Sequence, residues 1–294
     1  SFKILNVSIS FGSRLDKLLI IDGSNLLFQM FFGMPSRIIN GKGKAIQGTL
    51  GFVGATIKII RMTCPTHVVI LFDGEHPNVR TILLPGYKAN RPDYSQVDEA
   101  DNPYSQLADV YAALSFMNIK YTEVQELETD DIIAGYAYAY GEQMSVVIAS
   151  FDSDFFQLIN ENIKVLRYRG KNTVVCDPDY IKEKLGIAPS LYADFKSLTG
   201  DSSDNIKGAD KIGPKTAARL LHEFGDLESI LENSDSIERP SIKESIVKNA
   251  ERLRTNYKLI KLGGKAVIPF SISELEYNYS GITTNEVLNG IGLK

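Results

Sequence analysis

The sequence predicts an α/β fold with a doubly wound, mostly parallel sheet, because apolar strands and amphipathic helices alternate along its first half. Three short apolar runs have the composition of strands, and their sequences are KLLIID, HVVILFD and SVVIASFDSD. Each run is continuously apolar rather than alternating, as in parallel sheets that are covered on both faces. Helical spacing of apolar residues lies between the runs, and this alternation of elements is typical of α/β proteins.

The helices follow in chain order. Apolar residues recur at helical spacing over three stretches, 50–60, 107–117 and 132–140. Helical segments dominate residues 178–262, and 239–261 form one predicted amphipathic helix with seven basic and two acidic residues. We therefore predict an N-terminal α/β core at residues 1–177 and a mainly helical C-terminal region at 178–294.

Composition and hydropathy indicate a soluble globular protein. The chain of 294 residues is 44% hydrophobic and 23% charged, which is ordinary for this class. No apolar run approaches the ~20 residues of a membrane-spanning helix, and the first residues lack the features of a secretory signal. We expect a cytoplasmic monomer without a membrane partner.

Acidic residues concentrate at the ends of the predicted strands. The three strands end at Asp22, at Asp73 and at the Asp152 and Asp154 pair. A strand-end aspartate alone is often a turn former or a helix cap, but ligands of open α/β sheets bind outside these carboxyl ends. Three such strands together favour a shared site.

A further acidic cluster lies in the stretch LETDDIIAGYA, at the start of a predicted helix. At ~4 Å and an effective dielectric constant near 20, two like charges repel by about 4 kcal/mol. One explanation is structural, since Thr129 could cap the helix and acids in its first turn complement the macrodipole. The other explanation is a metal site, which would stabilise many carboxylates at one point.

The metal hypothesis gathers nine carboxylates, of which the first seven are expected at one rim of the sheet. These candidate ligands are Asp22, Asp73, Glu128, Asp130, Asp131, Asp152, Asp154, Asp201 and Asp204. Ligands that are all oxygen suit Mg²⁺ or Mn²⁺, and no cluster of His or Cys is present to hold zinc. Two such ions ~3.5–4 Å apart would clamp the attacking and leaving oxygens of a phosphodiester.

The overall charge does not exclude a polyanionic substrate. The net charge of −4 argues against a generic nucleic-acid binder, because such proteins are usually basic. Setting aside the nine carboxylates that metal ions would neutralise leaves 27 acidic residues against 32 basic ones, a balance of +5.

A glycine-rich segment, IKGADKIGPKTAARLL, lies between two predicted helices. Gly208 and Gly213 bracket a tight turn, and Pro214 suits the first position of a helix. The backbone N–H groups at that helix start could bind an anion, with Lys215 and Arg219 just beyond. The segment is either an ordinary loop that caps a helix or a phosphate-binding element, and this reasoning leaves both open.

Six motifs together resemble a known family. They are IIDGSNL, LFDGEHPNVR, GYKANRP, ETDD, SFDSDFFQL and LTGDSSDNIKGADKIGPKTA. In this order, from about residue 18 to 262, they resemble the 5′ nuclease (flap endonuclease) family. The bacterial type is the nearest in pattern: the 5′-3′ exonuclease domain of DNA polymerase I and its free-standing relatives. We expect a stand-alone enzyme.

The resemblance implies a PIN-like core, a helix-hairpin-helix at about 190–222 and an arch at about 87–106 over the active site. It implies metal-dependent hydrolysis of phosphodiester bonds in flapped, nicked and branched DNA, with some action on RNA. It also implies two ions, each held by a set of the carboxylates. One set is Asp22, Asp73, Glu128 and Asp130; the other is Asp130, Asp152, Asp154 and Asp201, with Asp131 and Asp204 acting partly through water.

The resemblance further implies roles for basic and aromatic residues near the arch. Lys88 matches the active-site lysine, and Arg91 matches its basic companion. Tyr87 matches a residue that stacks on a base and is expected to be exposed, with simple packing as the alternative. Arg80 matches a phosphate contact. The hairpin would hold duplex DNA through Gly208, Lys211, Gly213, Lys215 and Arg219.

Two departures from the family pattern change the expectations. Lys211 stands where the hairpin usually carries glycine, which puts a K⁺ ion at this position in question and makes Lys211 itself a candidate phosphate contact. The arch is acidic, through Asp93, Asp98, Glu99 and Asp101, and contains two prolines that oppose one continuous helix. We expect this arch to be mobile without DNA and to order on binding.

Three alternatives stay open. A haloacid-dehalogenase-like phosphatase would use Asp152 as a nucleophile but would need neither nine acids nor the hairpin. A binding module that has lost activity would use metal ions only to hold junction DNA. A ribonuclease would be distinguished by comparing matched RNA and DNA flaps.

Overall fold

The computed structural model describes residues 16–74, 80, 83–90, 92–125, 127–263 and 266–294. Its centre is a six-stranded sheet in the order β3-β2-β1-β4-β5-β6. The first five strands are parallel, and β6 runs antiparallel to β5. The three predicted strands are confirmed as β1, β2 and β4. The strands are β1 (Lys17–Asp22), β2 (His67–Asp73), β3 (Lys120–Val124), β4 (Ser145–Ala149), β5 (Ile163–Arg167) and β6 (Val174–Cys176).

Helices occupy the positions that the apolar spacing predicts. The stretches 50–60, 107–117 and 132–140 fall on α2, α3 and α4, and the predicted amphipathic helix at 239–261 is α9. The helices are α1 (Gly23–Gly33), α2 (Gln47–Thr63), α3 (Leu107–Phe116), α4 (Thr129–Tyr140), α5 (Pro178–Leu185), α6 (Tyr192–Thr199), α7 (Pro214–Phe224), α8 (Leu227–Glu232), α9 (Pro240–Ile260) and α10 (Thr284–Gly290).

Both faces of the sheet are buried, which explains the uninterrupted apolar strands. In β1, Leu18 and Ile20 belong to one core cluster, while Leu19 and Ile21 belong to the other, and all four are fully buried. Helices α1, α2 and α3 cover the second cluster, and α4 with the C-terminal helices covers the first. The C-terminal helices therefore share a hydrophobic core with the sheet.

The strand order reverses at β1, and this reversal positions the site. The chain places β2 and β3 on one side of β1, then crosses to β4 and β5 on the other side. At such a switch point the connections leave the strands in opposite directions, so a crevice opens at the carboxyl ends. The predicted aspartates lie at these ends of β1, β2 and β4.

A two-helix unit follows the sheet. Helices α6 and α7 are joined by residues 200–213, in which two short strands, β7 (Gly200–Asp201) and β8 (Ile206–Lys207), pair antiparallel. Helix α7 begins at Pro214, as the sequence predicts. On α9, Arg252 donates a hydrogen bond to the Gly208 carbonyl at 2.9 Å, and this contact braces the connection.

The C-terminal segment returns to the sheet. The Tyr277 N–H donates to the Thr66 carbonyl at 2.8 Å, beside the start of β2. Helix α10 then packs against the layer that contains α2, and Val287 is buried in that core. Within the described part of the chain, no helix combines the length and apolar character needed to cross a bilayer.

The close packing at Gly208 generates a stability prediction. A Cβ at this position would lie 2.4 Å from the Thr199 carbonyl carbon and 2.5 Å from the Gly200 nitrogen, and these backbone atoms cannot move aside cheaply. Gly208→Ala is expected to lower the free energy of unfolding by about 1–3 kcal/mol in denaturant titration.

Gly33→Ala is the matched control, because no atom lies within 4 Å of a Cβ at the end of α1. That variant should be as stable as the parent or slightly more stable. Equal stability of Gly208→Ala and the parent would contradict the tight packing described for the connection.

Candidate active site

A cavity of about 500 Å³ opens at the carboxyl ends of the central strands. Its carboxylates come from four segments that are distant in the chain: the ends of β1 and β2, the start of α4 and the loop after β4. Five of the nine predicted carboxylates line it together with Lys88. They are Asp22, Asp73, Glu128, Asp130 and Asp152.

Asp22 lies at the end of β1 and is buried, with 6% of its surface exposed. It caps α1 by accepting the Asn25 N–H at 3.1 Å, and it accepts the Ser150 hydroxyl at 2.8 Å. Burial and the negative charges of Asp73 and Asp152 together raise the pKa of Asp22 to about 7, although the hydrogen bonds from Asn25 and Ser150 lower it. The ionised carboxylate is therefore costly here without a cation.

Ser150 links two carboxylate positions and was not among the predicted residues. Its hydroxyl donates to Asp22 and also accepts the Asp152 N–H at 3.0 Å. The next aspartate is held in turn, because the Asp154 N–H donates to the Asp152 carboxylate at 2.8 Å. Hydrogen bonds along residues 150–154 thus fix the positions of both aspartates in the loop after β4.

Two basic side chains, Arg80 and Lys88, contact Glu128. Lys88 donates to Glu128 at 3.1 Å and lies 3.9 Å from Asp130. Arg80 pairs closely with Glu128 and also contacts Asp131 at 3.0 Å. Arg80 therefore neutralises carboxylates in this structure, whereas the sequence predicted a phosphate contact.

Asp130 and Asp131 are neighbours in the chain but have different surroundings. Burial raises the pKa of Asp130 well above its ordinary value; Asp152 raises it further, and Lys88 opposes the shift. Asp131 does not line the cavity and instead accepts the Arg80 guanidinium and the Gly263 N–H, the latter at 3.3 Å. Asp131 is therefore part of the acidic cluster but not of the cavity wall.

The main chain around Lys88 is held against residues 202–205. The Lys88 N–H donates to the Asp204 carbonyl at 3.1 Å, and the Asn205 amide donates to the Gly86 carbonyl at 2.8 Å. Asn90 donates to the Ser202 carbonyl at 3.0 Å. Lys88 has a φ of 55°, which is uncommon for a residue with a side chain. These bonds hold that backbone and aim the ammonium into the cavity.

A second acidic group contains Asp154 and Asp201. Burial raises the pKa of Asp154 well above its ordinary value, and Asp152, Asp201 and Asp204 add to the shift. Burial alone would also raise the pKa of Asp201, but hydrogen bonds from Lys196 and Ser203 bring it below the ordinary value.

Lys196 is a site residue that the sequence analysis missed. It lies on α6, and its ammonium is 2.7 Å from the Asp201 carboxylate, with both side chains largely buried. In the sequence, Lys196 is recognisable only as a lysine five residues before Asp201. That spacing does not show that the two side chains form an ion pair, because the pair depends on the fold.

The donor chemistry fits hard divalent cations. Every candidate ligand offers carboxylate oxygen, and Asp154 Oδ1 is buried without a hydrogen-bond partner among the described residues. Within those residues, no three His, Cys, Asp or Glu side chains are already grouped as ligands of one ion. Lys88, Arg80 and Lys196 hold several carboxylate oxygens instead, so ion binding requires these side chains to shift.

Tyr87 and Arg91 are the two predicted site residues that flank Lys88 at the start of the arch. Tyr87 is only 5% exposed; its ring packs with Ala193, Ile206 and Ile260. The expectation of an exposed ring is wrong for this structure, and the packing alternative describes it, because the adjacent hydrophobic cluster buries the ring. Arg91 lies outside the described residues.

Residues 92–106 form three short 3-10 turns, Tyr94–Gln96, Glu99–Asp101 and Pro103–Gln106. The absence of one continuous helix over these residues agrees with the effect expected of the two prolines. Pro92, Tyr94 and Tyr104 line the same cavity as the carboxylates, together with Phe28 from α1. The described arch thus forms an aromatic wall of the candidate site, which the sequence analysis did not anticipate.

The hairpin residues lie on the connection between α6 and α7 and on α7 itself. Lys211 has a φ of 64°, in the left-handed region that glycine adopts most easily. That conformation explains why glycine is the usual residue of the motif. Lys211, Gly213 and Lys215 are exposed, and Arg219 on α7 pairs with Glu223 at 3.5 Å.

Two sequence profiles match this chain. One, described as the N-terminal resolvase-like domain of 5′-3′ exonucleases, matches residues 17–186; the other, described as the C-terminal SAM fold of these enzymes, matches residues 187–281. The chain belongs to the 5′-3′ exonuclease family. Family membership confirms the resemblance inferred from the motifs, so the phosphatase alternative is set aside.

Several bacterial polymerases contain a related region. The chain is 32% identical to DNA polymerase I of Lactococcus lactis, 34% to that of Rhizobium leguminosarum and 32% to the thermostable enzyme of Thermus aquaticus. These matches cover 88%, 84% and 84% of this chain but 30%, 24% and 28% of the relatives. The chain therefore spans less than a third of their length.

Solved structures share the fold. A bacteriophage T5 flap endonuclease, in a complex with DNA and metal ions, superposes with a TM-score of 0.68 at 22% identity, covering 83% of this chain and 88% of that one. The catalytic core of Rad2, in complex with a DNA substrate, gives 0.56 at 17% identity, covering 94% and 93%. These similarities confirm the predicted PIN-like architecture.

The raised pKa of Asp22 generates a pH prediction for the protein in a chelator. An unfolded aspartate ionises near pH 4, whereas Asp22 in the fold ionises at about 7, so folding loses stability as the pH rises between these values. Asp22→Asn removes this loss and can still cap α1. Its free energy of unfolding is expected to exceed that of the parent by about 1–3 kcal/mol at pH 8 and to match it near pH 4.

Urea titrations at both pH values measure this difference. Asp98→Asn, at an exposed position of the arch, is the control and should change stability little at either pH. A variant at Asp22 that is less stable than the parent at pH 8 would contradict the electrostatic description of the site. Mg²⁺ should stabilise the parent more than Asp22→Asn.

Proposed function

We propose that this chain is a structure-specific 5′ nuclease, a 5′-3′ exonuclease and flap endonuclease that hydrolyses phosphodiester bonds of branched or nicked DNA with two divalent ions. The observation that carries the proposal is the convergence of five carboxylates and Lys88 in one cavity at the carboxyl ends of the sheet. Family membership supports the reaction class, and the neighbours solved with DNA or metal ions support the substrate and cofactor.

The carboxylates divide into two proposed ligand sets that share Asp130. Asp22, Asp73, Glu128 and Asp130 would hold one ion, and Asp130, Asp152, Asp154 and Asp201 the other, with Asp131 and Asp204 contributing partly through water. When bound, two such ions lower the pKa of a water molecule and stabilise the attacking and leaving oxygens. Mg²⁺ or Mn²⁺ suits an all-oxygen ligand set.

Lys88 is the proposed catalytic cation of the protein itself. Its ammonium already lies between Glu128 and Asp130 at the cavity wall, so a small rotation can bring it to a phosphate oxygen. There it would stabilise the negative charge that develops on the scissile phosphate. Arg91 is proposed as its companion on the family pattern.

Basic groups outside the cavity would position the DNA. The helix-hairpin-helix would hold duplex phosphates through the N–H groups at the start of α7, Lys215 and Arg219. Lys211 would supply a positive charge at the hairpin where other members of the family would bind K⁺. RNA flaps are a proposed secondary substrate, and the enzyme is proposed to act as a monomer.

A cleavage panel tests the proposal. Flap, nick, gap and blunt duplex substrates carry a label at the 5′ end and are incubated with the protein in Mg²⁺, Mn²⁺ or chelator. Metal-dependent release of short labelled products from flaps, ahead of blunt duplex, is the expected result. Binding without cleavage at every metal concentration would instead favour a module that only holds junctions, and matched RNA flaps test the ribonuclease alternative.

Lys88→Ala is expected to slow single-turnover flap cleavage roughly 100- to 1,000-fold, because one preorganised charge contact to the transition state is lost. Affinity for the flap should change much less, since most contacts to the DNA lie elsewhere. Lys171→Ala, at an exposed position away from the cavity, is the control. Weaker binding with an unchanged rate in the bound state would refute the catalytic role of Lys88.

Lys215→Ala is expected to weaken binding of the flap duplex and to reduce the slope of log affinity against log salt by about 0.9, the value of one phosphate contact. Anisotropy titrations over a series of KCl concentrations give this slope. Lys182→Ala, at an exposed position of α5, is the matched control and should leave the slope unchanged. Parallel salt slopes for Lys215→Ala and the parent would remove this residue from the DNA interface.

A further inference from the structure

Both carboxylate oxygens of Glu128, which lines the cavity, accept from cationic side chains. Its Oε1 accepts from the Lys88 ammonium at 3.1 Å, and its Oε2 pairs closely with the Arg80 guanidinium. The Tyr87 hydroxyl is a further donor to Oε2, at 3.4 Å. A divalent ion bound to Glu128 would therefore lie against two positive charges, and like charges at this range repel each other.

Arg80 joins this cavity carboxylate to a carboxylate outside the cavity. Its Nη1 contacts Glu128, and its Nη2 lies 3.0 Å from Asp131 Oδ1. The three side chains are largely buried, with 11% of Arg80, 9% of Glu128 and 18% of Asp131 exposed. A guanidinium presents its N–H donors in a fixed fork, so it can hold two carboxylates at once. Two negative charges thus share the positive charge of Arg80.

Asp131 is held independently of Glu128. Its Oδ1 also accepts the Gly263 N–H at 3.3 Å, and the residue does not line the cavity. An Arg80 side chain that released Glu128 would keep Asp131 as a partner, with one positive charge against one negative charge. Such a release leaves neither of these buried groups uncompensated, whereas displacement of Arg80 from both carboxylates would leave Asp131 unpaired with it.

We propose that Arg80 is a resident counter-cation that competes with a divalent ion for Glu128, and that Asp131 retains Arg80 when Glu128 binds the ion. Arg80 thereby lowers the ion affinity of the protein, and Asp131 raises it by drawing the guanidinium away. The inference rests on the proposed two-ion function and deepens it by naming what sets the ion affinity at Glu128. Arg80 and Asp131 act through Glu128, so in this respect they are positioning residues.

Binding of Mn²⁺ to the protein without DNA tests the proposal. The EPR signal of free Mn²⁺ counts the bound ions directly, and the rise of Tm in Mg²⁺ is a second measure of affinity. The variants are Arg80→Gln, Asp131→Asn and the two combined, together with Arg80→Lys, which keeps the charge without the fork. Arg37→Gln is the matched control, because Arg37 pairs with the exposed Asp101 at 3.3 Å, away from the cavity carboxylates.

Arg80→Gln is expected to bind Mn²⁺ roughly 10-fold more tightly than the parent, a change within the range usual for coupled sites. Arg80→Lys should lie between the two, and Arg37→Gln should match the parent. Asp131→Asn should bind Mn²⁺ roughly 10-fold more weakly, because Arg80 then turns fully to Glu128. In the Arg80→Gln background, Asp131→Asn should change the affinity by less than about 2-fold, since its effect requires the guanidinium.

Two results overturn the counter-cation role while the nuclease proposal stands. One is an Arg80→Gln variant that binds Mn²⁺ no more tightly than the parent, as expected of a residue that only holds Glu128 in place or only contacts phosphate. The other is an equal loss from Asp131→Asn in both backgrounds, which indicates that Asp131 acts through ion-bound water alone.

The remaining outcomes also decide. Should Arg80→Gln fail to fold, Arg80→Lys carries the test, and an affinity for Mn²⁺ equal to or below that of the parent contradicts competition. A parent that binds no Mn²⁺ and cleaves no flap overturns the two-ion proposal as well, so the two failures are distinguishable.

Discussion

Mutual repulsion among buried carboxylates is the constraint on which the rest of this structure depends. Asp22, Asp130 and Asp154 all have pKa values raised by burial and by neighbouring negative charge. A fold that accepts this cost needs compensating positive charge, and among the described residues Lys88, Arg80 and Lys196 contact the cluster. Divalent ions would supply far more positive charge, so a geometry that is costly without them suits the proposed metal-dependent reaction.

The fold and the location of the site were predictable because their signals are local. Uninterrupted apolar runs mark strands buried on both faces, and helical spacing between them gives the parallel crossover connections. Once β1, β2 and β4 are parallel neighbours, their terminal aspartates must lie at one edge of the sheet. Pro214 likewise marks the start of α7 through a fixed backbone angle.

The side-chain environment was less predictable, because it depends on contacts between distant segments. Burial of Tyr87 follows from Ala193 and Ile260, more than a hundred residues further along the chain. The pairing of Lys196 with Asp201 depends on how the chain leaves α6 and enters β7, and the aromatic wall requires the arch to lie on α1. The ion pair of Arg80 with Glu128 and Asp131 is a further case, since a family pattern describes a residue type without its partner.

The hydrogen bond from the Lys88 N–H to the Asp204 carbonyl has a mechanical consequence. It joins the segment that carries the ammonium to the loop that leads into the hairpin, and the Asn205 and Asn90 amides make the same junction from either side. A shift of that loop as a double helix seats on the hairpin would be transmitted rigidly to the main chain of Lys88. Under the proposed function, duplex binding at the hairpin and the position of the Lys88 ammonium would therefore be mechanically coupled.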